Sequence, residues 1–212
     1  MKDTIGFDAD GVLLDSVLHA FTAANRILAL IGAEGTLAEQ GDFDRLFGAV
    51  ALDRLVGHSR ADALRGTHRL AMLRAARSIP LFNETLAVID RQPLACIVIT
   101  AAYAEGVRDA LGHHARVFRS ITGFETGRKN EIMATVADRL KVYVTDSVSD
   151  LRICQRLGIT TIAVTGGYDK AEDLIAAGAD LLASTPGDLD KALAQFHPQQ
   201  TSNMKENFHE LP

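Results

Sequence analysis

Cysteine, long apolar runs and surplus positive charge are all scarce in this chain, and each scarcity excludes a class of function. The two cysteines, Cys96 and Cys154, fit no metal-ligand spacing, and Cys96 lies inside the apolar run from 94 to 100. They read as buried, reduced thiols, the usage of a cytoplasmic protein. No apolar run approaches the ~18 residues of a membrane span, and no charged start leads into an apolar signal segment, so neither membrane insertion nor secretion is expected. Basic side chains number 22 against 27 acidic ones, a net charge of −5, which does not give the basic face that a nucleic-acid binder needs. Lysine is absent between positions 3 and 128, so the first positive ammonium after the N-terminal segment is Lys129.

What is present is an ordinary globular composition. Hydrophobic residues make up 47% of the 212 and charged residues 23%, enough for one sizeable core with a small appended domain. Short β-branched runs at 4–7, 94–100, 141–145 and 160–165, with weaker ones at 120–124 and 179–184, alternate with helical segments near 104–112, 130–140, 148–157, 169–177 and 187–196. Continuous apolar strands separated by helices predict an α/β fold, a Rossmann-like doubly wound parallel sheet with right-handed crossovers. Between about 17 and 80 the alternation stops and the pattern is helical, with long stretches at His19 to Ile31 and Asp62 to Arg77. This predicts an inserted all-helical cap over 16–80, a core built from 1–15 and 81–196 with Pro80 near the return point, and a flexible polar tail over 197–212.

The strongest local signal is the nonapeptide Asp8 to Ser16, DADGVLLDS, directly after the first apolar run. Residues i and i+2 of an extended chain point the same way, so Asp8 and Asp10 can share one pole of the strand end. Two ionised carboxylates ~4 Å apart repel by roughly 4 kcal/mol at an effective dielectric near 20, which implies a cation or a shared proton. Oxygen ligands with room for water and phosphate suit Mg²⁺, and an aspartate beside such an ion can attack phosphorus. Two further strands finish in an oxygen-bearing side chain, Thr100 and Asp146. Ligands of parallel sheets bind beyond the carboxyl ends of the strands, so these residues converge on one crevice, although each could instead cap the helix that follows. Lys129 opens a helix, where a cation opposes the macrodipole, and that marks it either as a functional group or as a solvated surface residue. Asp146 and Asp150, four apart, share the first turn of the next helix, with Asp146 as a hard ligand and Asp150 as a partner that orients a metal-bound water or Lys129.

In this order, DADGVLLDS, Thr100, Lys129 and Asp146 with Asp150 resemble the four motifs of the haloacid dehalogenase-like hydrolase superfamily, and the helical block resembles the cap of its phosphoglycolate phosphatase and phosphoglucomutase-like branch. The resemblance implies that Asp8 attacks phosphorus to form an aspartyl-phosphate and that Asp10 protonates the leaving oxygen and then activates water. It implies that Mg²⁺ is held by Asp8, the main-chain carbonyl of Asp10 and Asp146. Thr100 and the main-chain N–H of Ala101 would hold phosphate oxygens, and Lys129 would balance charge. Asp10 favours phosphate chemistry over the dehalogenase branch, which lacks that second acid. The chain departs from the pattern at Asn83, at Ala101 after the threonine, at Asn130 and at Thr145, which stands where glycine is usual.

The expected activity is thus Mg²⁺-dependent hydrolysis of a small phosphorylated metabolite by a monomer or homodimer. The alternatives are a sugar phosphomutase and a non-catalytic phosphate-binding or signalling relative. Arg45, Arg54, Arg60, Arg65, Arg69, Arg74 and Arg77 populate the cap, where one or two could read an anionic substrate and the rest form solvated surface. The seven histidines form no zinc set, and His113 and His114 are expected to point apart on a helix end.

Overall fold

The computed structural model describes residues 2–197. Six strands, β1 (Thr4–Phe7), β2 (Ala95–Ile99), β3 (Ser120–Thr122), β4 (Leu140–Thr145), β5 (Thr161–Val164) and β6 (Leu181–Ala183), form one sheet in the order β3-β2-β1-β4-β5-β6. Every neighbouring pair is parallel. All four residues of β1 are buried, as an inner strand covered on both faces requires. The order reverses between β1 and β4, so the crevice of the sheet opens beyond the carboxyl ends of those two strands.

The insertion after β1 holds α1 (Val17–Leu30), a π-helical turn (Phe43–Phe47), α2 (Ala49–Val56) and α3 (His58–Ala75). These elements bury a small core of their own around Phe21, Ile27, Leu28, Leu37, Phe47 and Leu52. The two linkers that join it to the sheet lie side by side: Asp15 N–H donates to Pro80 O (2.9 Å) and Phe82 N–H to Leu13 O (3.0 Å). The chain therefore enters and leaves the helical cap at one narrow place, beside the strand end that carries Asp8.

The remaining helices are α4 (Asn83–Asp90), α5 (Ala104–Leu111), α6 (Lys129–Val136), α7 (Val148–Leu157), α8 (Ala171–Ala176) and α9 (Pro186–Ala194). Side chains of α4, α5 and α9 pack on one face of the sheet with Ile5, Phe7, Val98, Val142 and Val144. Those of α6 and α7 pack on the other with Ile97, Ile99, Leu140 and Tyr143. Successive residues from Cys96 to Ile99 of β2 and from Val142 to Val144 of β4 alternate between the two, the period of two of a pleated sheet, while a register shift at the start of β4 puts Leu140 and Val142 on opposite faces. No helix among the described residues is long and apolar enough to cross a membrane.

Three sequence expectations are corrected. Helix α4 was not foreseen, because it is eight residues long and buries only Leu86, Val88 and Ile89, too short a window for a helical period to stand out. Helix α3 begins at His58 rather than Asp62; its first turn is polar, held by His58 Nδ1 on Asp53 Oδ2 (2.9 Å) rather than by an apolar stripe. His113 and His114 do not point apart, since the 3₁₀ turn Gly112–Val117 brings their rings to 4.0 Å between centroids. The tail expected over 197–212 lies outside the described residues apart from His197.

Gly6 is the one small residue of β1, and it makes room for the ring of Tyr143, whose hydroxyl donates to Ile99 O (2.9 Å). A Cβ there would stand 2.7 Å from Tyr143 Cδ2 and 2.9 Å from Leu140 Cδ2. Gly6→Ala is expected to destabilise the protein by about 1–3 kcal/mol through overpacking. Urea denaturation of the two proteins checks this, and an unchanged midpoint would contradict the packing described.

Candidate active site

Asp8 directly follows strand β1, and its N–H still donates to Val144 O on β4 (2.9 Å), so the first aspartate of the motif is held by the sheet. The chain then turns: Leu13 and Leu14 N–H both donate to Ala9 O, and Gly11 takes φ +73°, a left-handed conformation that favours glycine. Space demands glycine as well, because a Cβ on Gly11 would come within 1.9 Å of Asp146 Oδ2. The motif's turn thus lies directly against the aspartate that ends β4.

Asp8, Asp146 and Asp150 are buried, at 7%, 1% and 2% exposure, and among the described residues one ammonium pairs with two of them. Lys129 Nζ stands 2.7 Å from Asp8 Oδ2 and 2.5 Å from Asp150 Oδ2. Asp150 also accepts from Thr145 Oγ1 (3.0 Å). Asp146 Oδ2 accepts from Tyr168 N–H (2.7 Å), while its Oδ1 is buried with no hydrogen-bond partner among the described residues. Asp10 lines the same cleft, half-buried.

The electrostatics follow from three carboxylates and one cation. Burial pulls the Lys129 ammonium down, but Asp150 and Asp8 outweigh it and hold it above its usual range. Burial pushes Asp8 well above the ordinary carboxylate value; Lys129 opposes this, and Asp150 and Asp146 add to it. Asp146 is pushed up to about 7, by burial first, against the pull of the Tyr168 N–H and Lys129. One lysine cannot neutralise three buried acids, so the excess falls on Asp8 and Asp146 as a raised proton affinity.

Thr100, at the end of β2, is fully buried, and its Oγ1 accepts from Ala102 N–H (3.0 Å). The wall of the cleft here is made by Ala101 and Ala102. The whole cleft, about 640 Å³, lies between sheet and cap, with Phe43, Phe47, His68, Arg69 and Met72 supplied by the cap. Asp8, Asp10, Ala101, Lys129, Asp146 and Asp150 therefore line this one crevice, whereas Thr100 lies buried behind its wall and does not line it.

The motifs did not announce the cap side. Arg69 was one of seven cap arginines, and its distinction is visible only in space: Nε donates to Ala101 O (3.1 Å) and the guanidinium lies 3.6 Å over the Phe124 ring. Burial pulls it down, and these two contacts include no anion. Arg65, by contrast, is paired with Asp53 and Asp62. His68 is held by Ala20 O (3.1 Å) between Phe43 and Phe47, and burial first lowers its proton affinity, so it is a neutral wall of the cleft.

No protein-family model matches the chain. A stretch of 58 residues is 36% identical to the phosphoglycolate phosphatase of Synechococcus elongatus, and it spans 27% of this chain and 27% of that protein. Solved structures match over nearly the whole length. A predicted phosphatase from Clostridium acetobutylicum superposes with a TM-score of 0.75 at 16% identity, covering 92% of this chain and 99% of that one. A haloacid dehalogenase-like family hydrolase from Streptococcus pneumoniae gives 0.69 at 19%, covering 92% and 99%. CbbY from Rhodobacter sphaeroides gives 0.66 in complexes with phosphate and with xylulose-1,5-bisphosphate, at 20% and 19% identity, covering 89% and 96%. The fold is that of the haloacid dehalogenase-like hydrolases.

A stability measurement tests the charge imbalance. Asp146 ionises near pH 7 in the fold against an ordinary value of 3.8, so the folded state holds more protons between those limits and loses stability as pH rises through them. Asp146→Asn, neutral at every pH, is expected to be more stable than the parent at pH 8 in EDTA, with the difference shrinking toward pH 5. Equal denaturation midpoints at both pH values would show that Asp146 carries no such burden.

Proposed function

We propose that this chain is a Mg²⁺-dependent phosphatase that hydrolyses a small-metabolite phosphomonoester through an aspartyl-phosphate on Asp8. The observation that carries this is the buried cluster of Asp8, Asp146 and Asp150 around one ammonium, with Asp146 Oδ1 lacking a partner. Two negative charges in excess and an unsatisfied oxygen fit a hard divalent ion. Among the described residues no three His, Cys, Asp or Glu side chains group as a metal site; the ligands proposed are the two carboxylates of Asp8 and Asp146 with the main-chain oxygen of Asp10, the set that the resemblance implies. When bound, Mg²⁺ cancels the excess and draws charge from a phosphoryl oxygen.

In the proposed reaction a carboxylate oxygen of Asp8 attacks phosphorus and the ester P–O bond breaks. Asp10 gives its proton to the departing alkoxide. Asp10 then takes a proton from water, which attacks phosphorus, releases inorganic phosphate and restores the Asp8 carboxylate. Lys129, fixed by Asp150, holds positive charge beside the transferring group throughout. Thr100 and the Ala101 N–H are the groups proposed to receive phosphate oxygens. The cap closes the cleft against bulk water, which strengthens each of these interactions. Phosphate monoester hydrolysis needs accelerations up to roughly 10²¹, and no single group here could supply that.

We assign Arg69 to the rest of the substrate. A half-buried guanidinium, oriented by Ala101 O and Phe124 and offered no anion by those contacts, is a site for a second carboxylate or phosphate on the metabolite. The relative crystallised with xylulose-1,5-bisphosphate holds a ligand of that kind. Most of the other cap arginines remain surface.

Two measurements check the proposal. Parent protein is expected to release phosphate from p-nitrophenyl phosphate with Mg²⁺ and not with EDTA, and Asp8→Asn to lose this entirely; retained turnover would exclude Asp8 as the nucleophile. Arg69→Ala is expected to lower kcat/KM about 10- to 100-fold for phosphoesters with a second anionic group, such as 2-phosphoglycolate, with little change for p-nitrophenyl phosphate, since a hydrogen bond to a charged group contributes ~1.5–3 kcal/mol. Equal losses on both substrates would remove Arg69 from substrate reading.

A further inference from the structure

The loop 165–170 after β5, Thr-Gly-Gly-Tyr-Asp-Lys, belongs to none of the strand-end motifs, yet it touches both halves of the molecule. On the cap side Gln40 Nε2 donates to Gly167 O (2.8 Å), Gly41 N–H to Tyr168 O (2.8 Å) and Lys170 Nζ to Glu39 Oε2 (3.3 Å). On the core side Tyr168 N–H donates to Asp146 Oδ2 (2.7 Å) and Asp169 Oδ2 accepts from Val148 N–H (2.7 Å). The two peptide groups of Tyr168 thus have opposite duties: its N–H holds the carboxylate and its C=O holds the cap.

The side chain follows the same division. The Tyr168 ring packs edge-on against Phe43 (5.3 Å between centroids) and Phe21 (6.2 Å), and it borders both the cap core and the main core. Its hydroxyl faces Ser16, on the linker that leads into the cap, whose buried Oγ makes no well-formed hydrogen bond. Next to it Gly167 is buried, and a Cβ there would lie 1.9 Å from Asp146 Oδ2. With Oδ2 gripped on this side, the carboxylate presents only Oδ1, the atom without a partner.

We propose that this loop is a strap through which the docked cap fixes the orientation of the Asp146 carboxylate, with Tyr168 as its positioning residue, so that cap docking and divalent-cation binding strengthen each other. The inference rests on Asp146 as a cation ligand. Because coupling between two binding equilibria is reciprocal, whatever loosens the cap's hold on the loop weakens the cation, and the cation in turn tightens the cap.

The experiment measures Mg²⁺ binding by titration calorimetry and, separately, hydrogen exchange at the Gly41 amide with and without Mg²⁺. Gln40→Ala removes a cap contact and touches no group assigned to catalysis; Tyr168→Phe keeps the ring and both peptide contacts. Gln40→Ala is expected to fold as the parent does in EDTA, to bind Mg²⁺ about 5- to 10-fold more weakly, at the lower end of usual couplings, and to lose the Mg²⁺-dependent slowing of exchange at Gly41 that the parent shows. Tyr168→Phe is expected to bind as the parent does. Folded Gln40→Ala with parental Mg²⁺ affinity and parental exchange overturns the strap while leaving the metal site standing. A parent that binds no Mg²⁺ overturns the metal site and the strap with it.

Discussion

One ammonium paired with two of three neighbouring buried carboxylates is the interaction on which the rest of this structure depends. Lys129 reaches Asp8 and Asp150 together, and Asp146 stands beside them without a cation of its own. Buried charges of one sign are tolerated only when something compensates them, and here proton affinity rises at Asp8 and Asp146 because lysine alone does not. Under the proposed function the cluster is costly to fold and useful for chemistry for the same reason: it would receive positive charge from a bound cation. A site of this kind trades stability for function.

The sheet makes that arrangement possible. Parallel strands bring their carboxyl ends to one edge, and the reversal of order between β1 and β4 leaves a crevice into which Asp8 and Asp146 project from adjacent strands. Lys129 arrives from the start of α6 and Asp150 from the first turn of α7. The apparent conflict between a cation and a helix N-terminus at Lys129 is settled by its two carboxylate partners, which outweigh a dipole effect of typically 0.3–1 kcal/mol. The local rule is broken because the pairing is stronger.

This much was legible in the sequence, because strand-end residues are fixed by the period of the strand and by chain direction alone. Asp8, Thr100 and Asp146 each follow an apolar run that marks a strand plainly, and Lys129 stood out as a cation where a helix begins. The cap side was not legible. Arg69 cannot be told from Arg65 by spacing or type, and only coordinates show that one is neutralised by Asp53 and Asp62 while the other stacks on Phe124. Tyr168 reaches Asp146 and Gly41 through its main chain, which a reading of side-chain chemistry cannot see. Thr145 shows the converse: it departs from the glycine usual in the resemblance, and its hydroxyl supplies Asp150 with a second donor, a compensation apparent only once both residues are placed.

Two glycines complete the argument about Asp146. Gly11 reaches it from the first motif and Gly167 from the loop after β5, and a Cβ on either would come within 1.9 Å of Oδ2. Backbone therefore closes on that carboxylate from two sides, with the Tyr168 N–H between fixing the same oxygen. A side chain so confined has little rotamer freedom left to lose when it takes a ligand, and the entropy of orienting it has already been met in folding. Oδ1 is left as the open direction, which in the proposed function makes this strand-end aspartate one half of a cation site shared with Asp8.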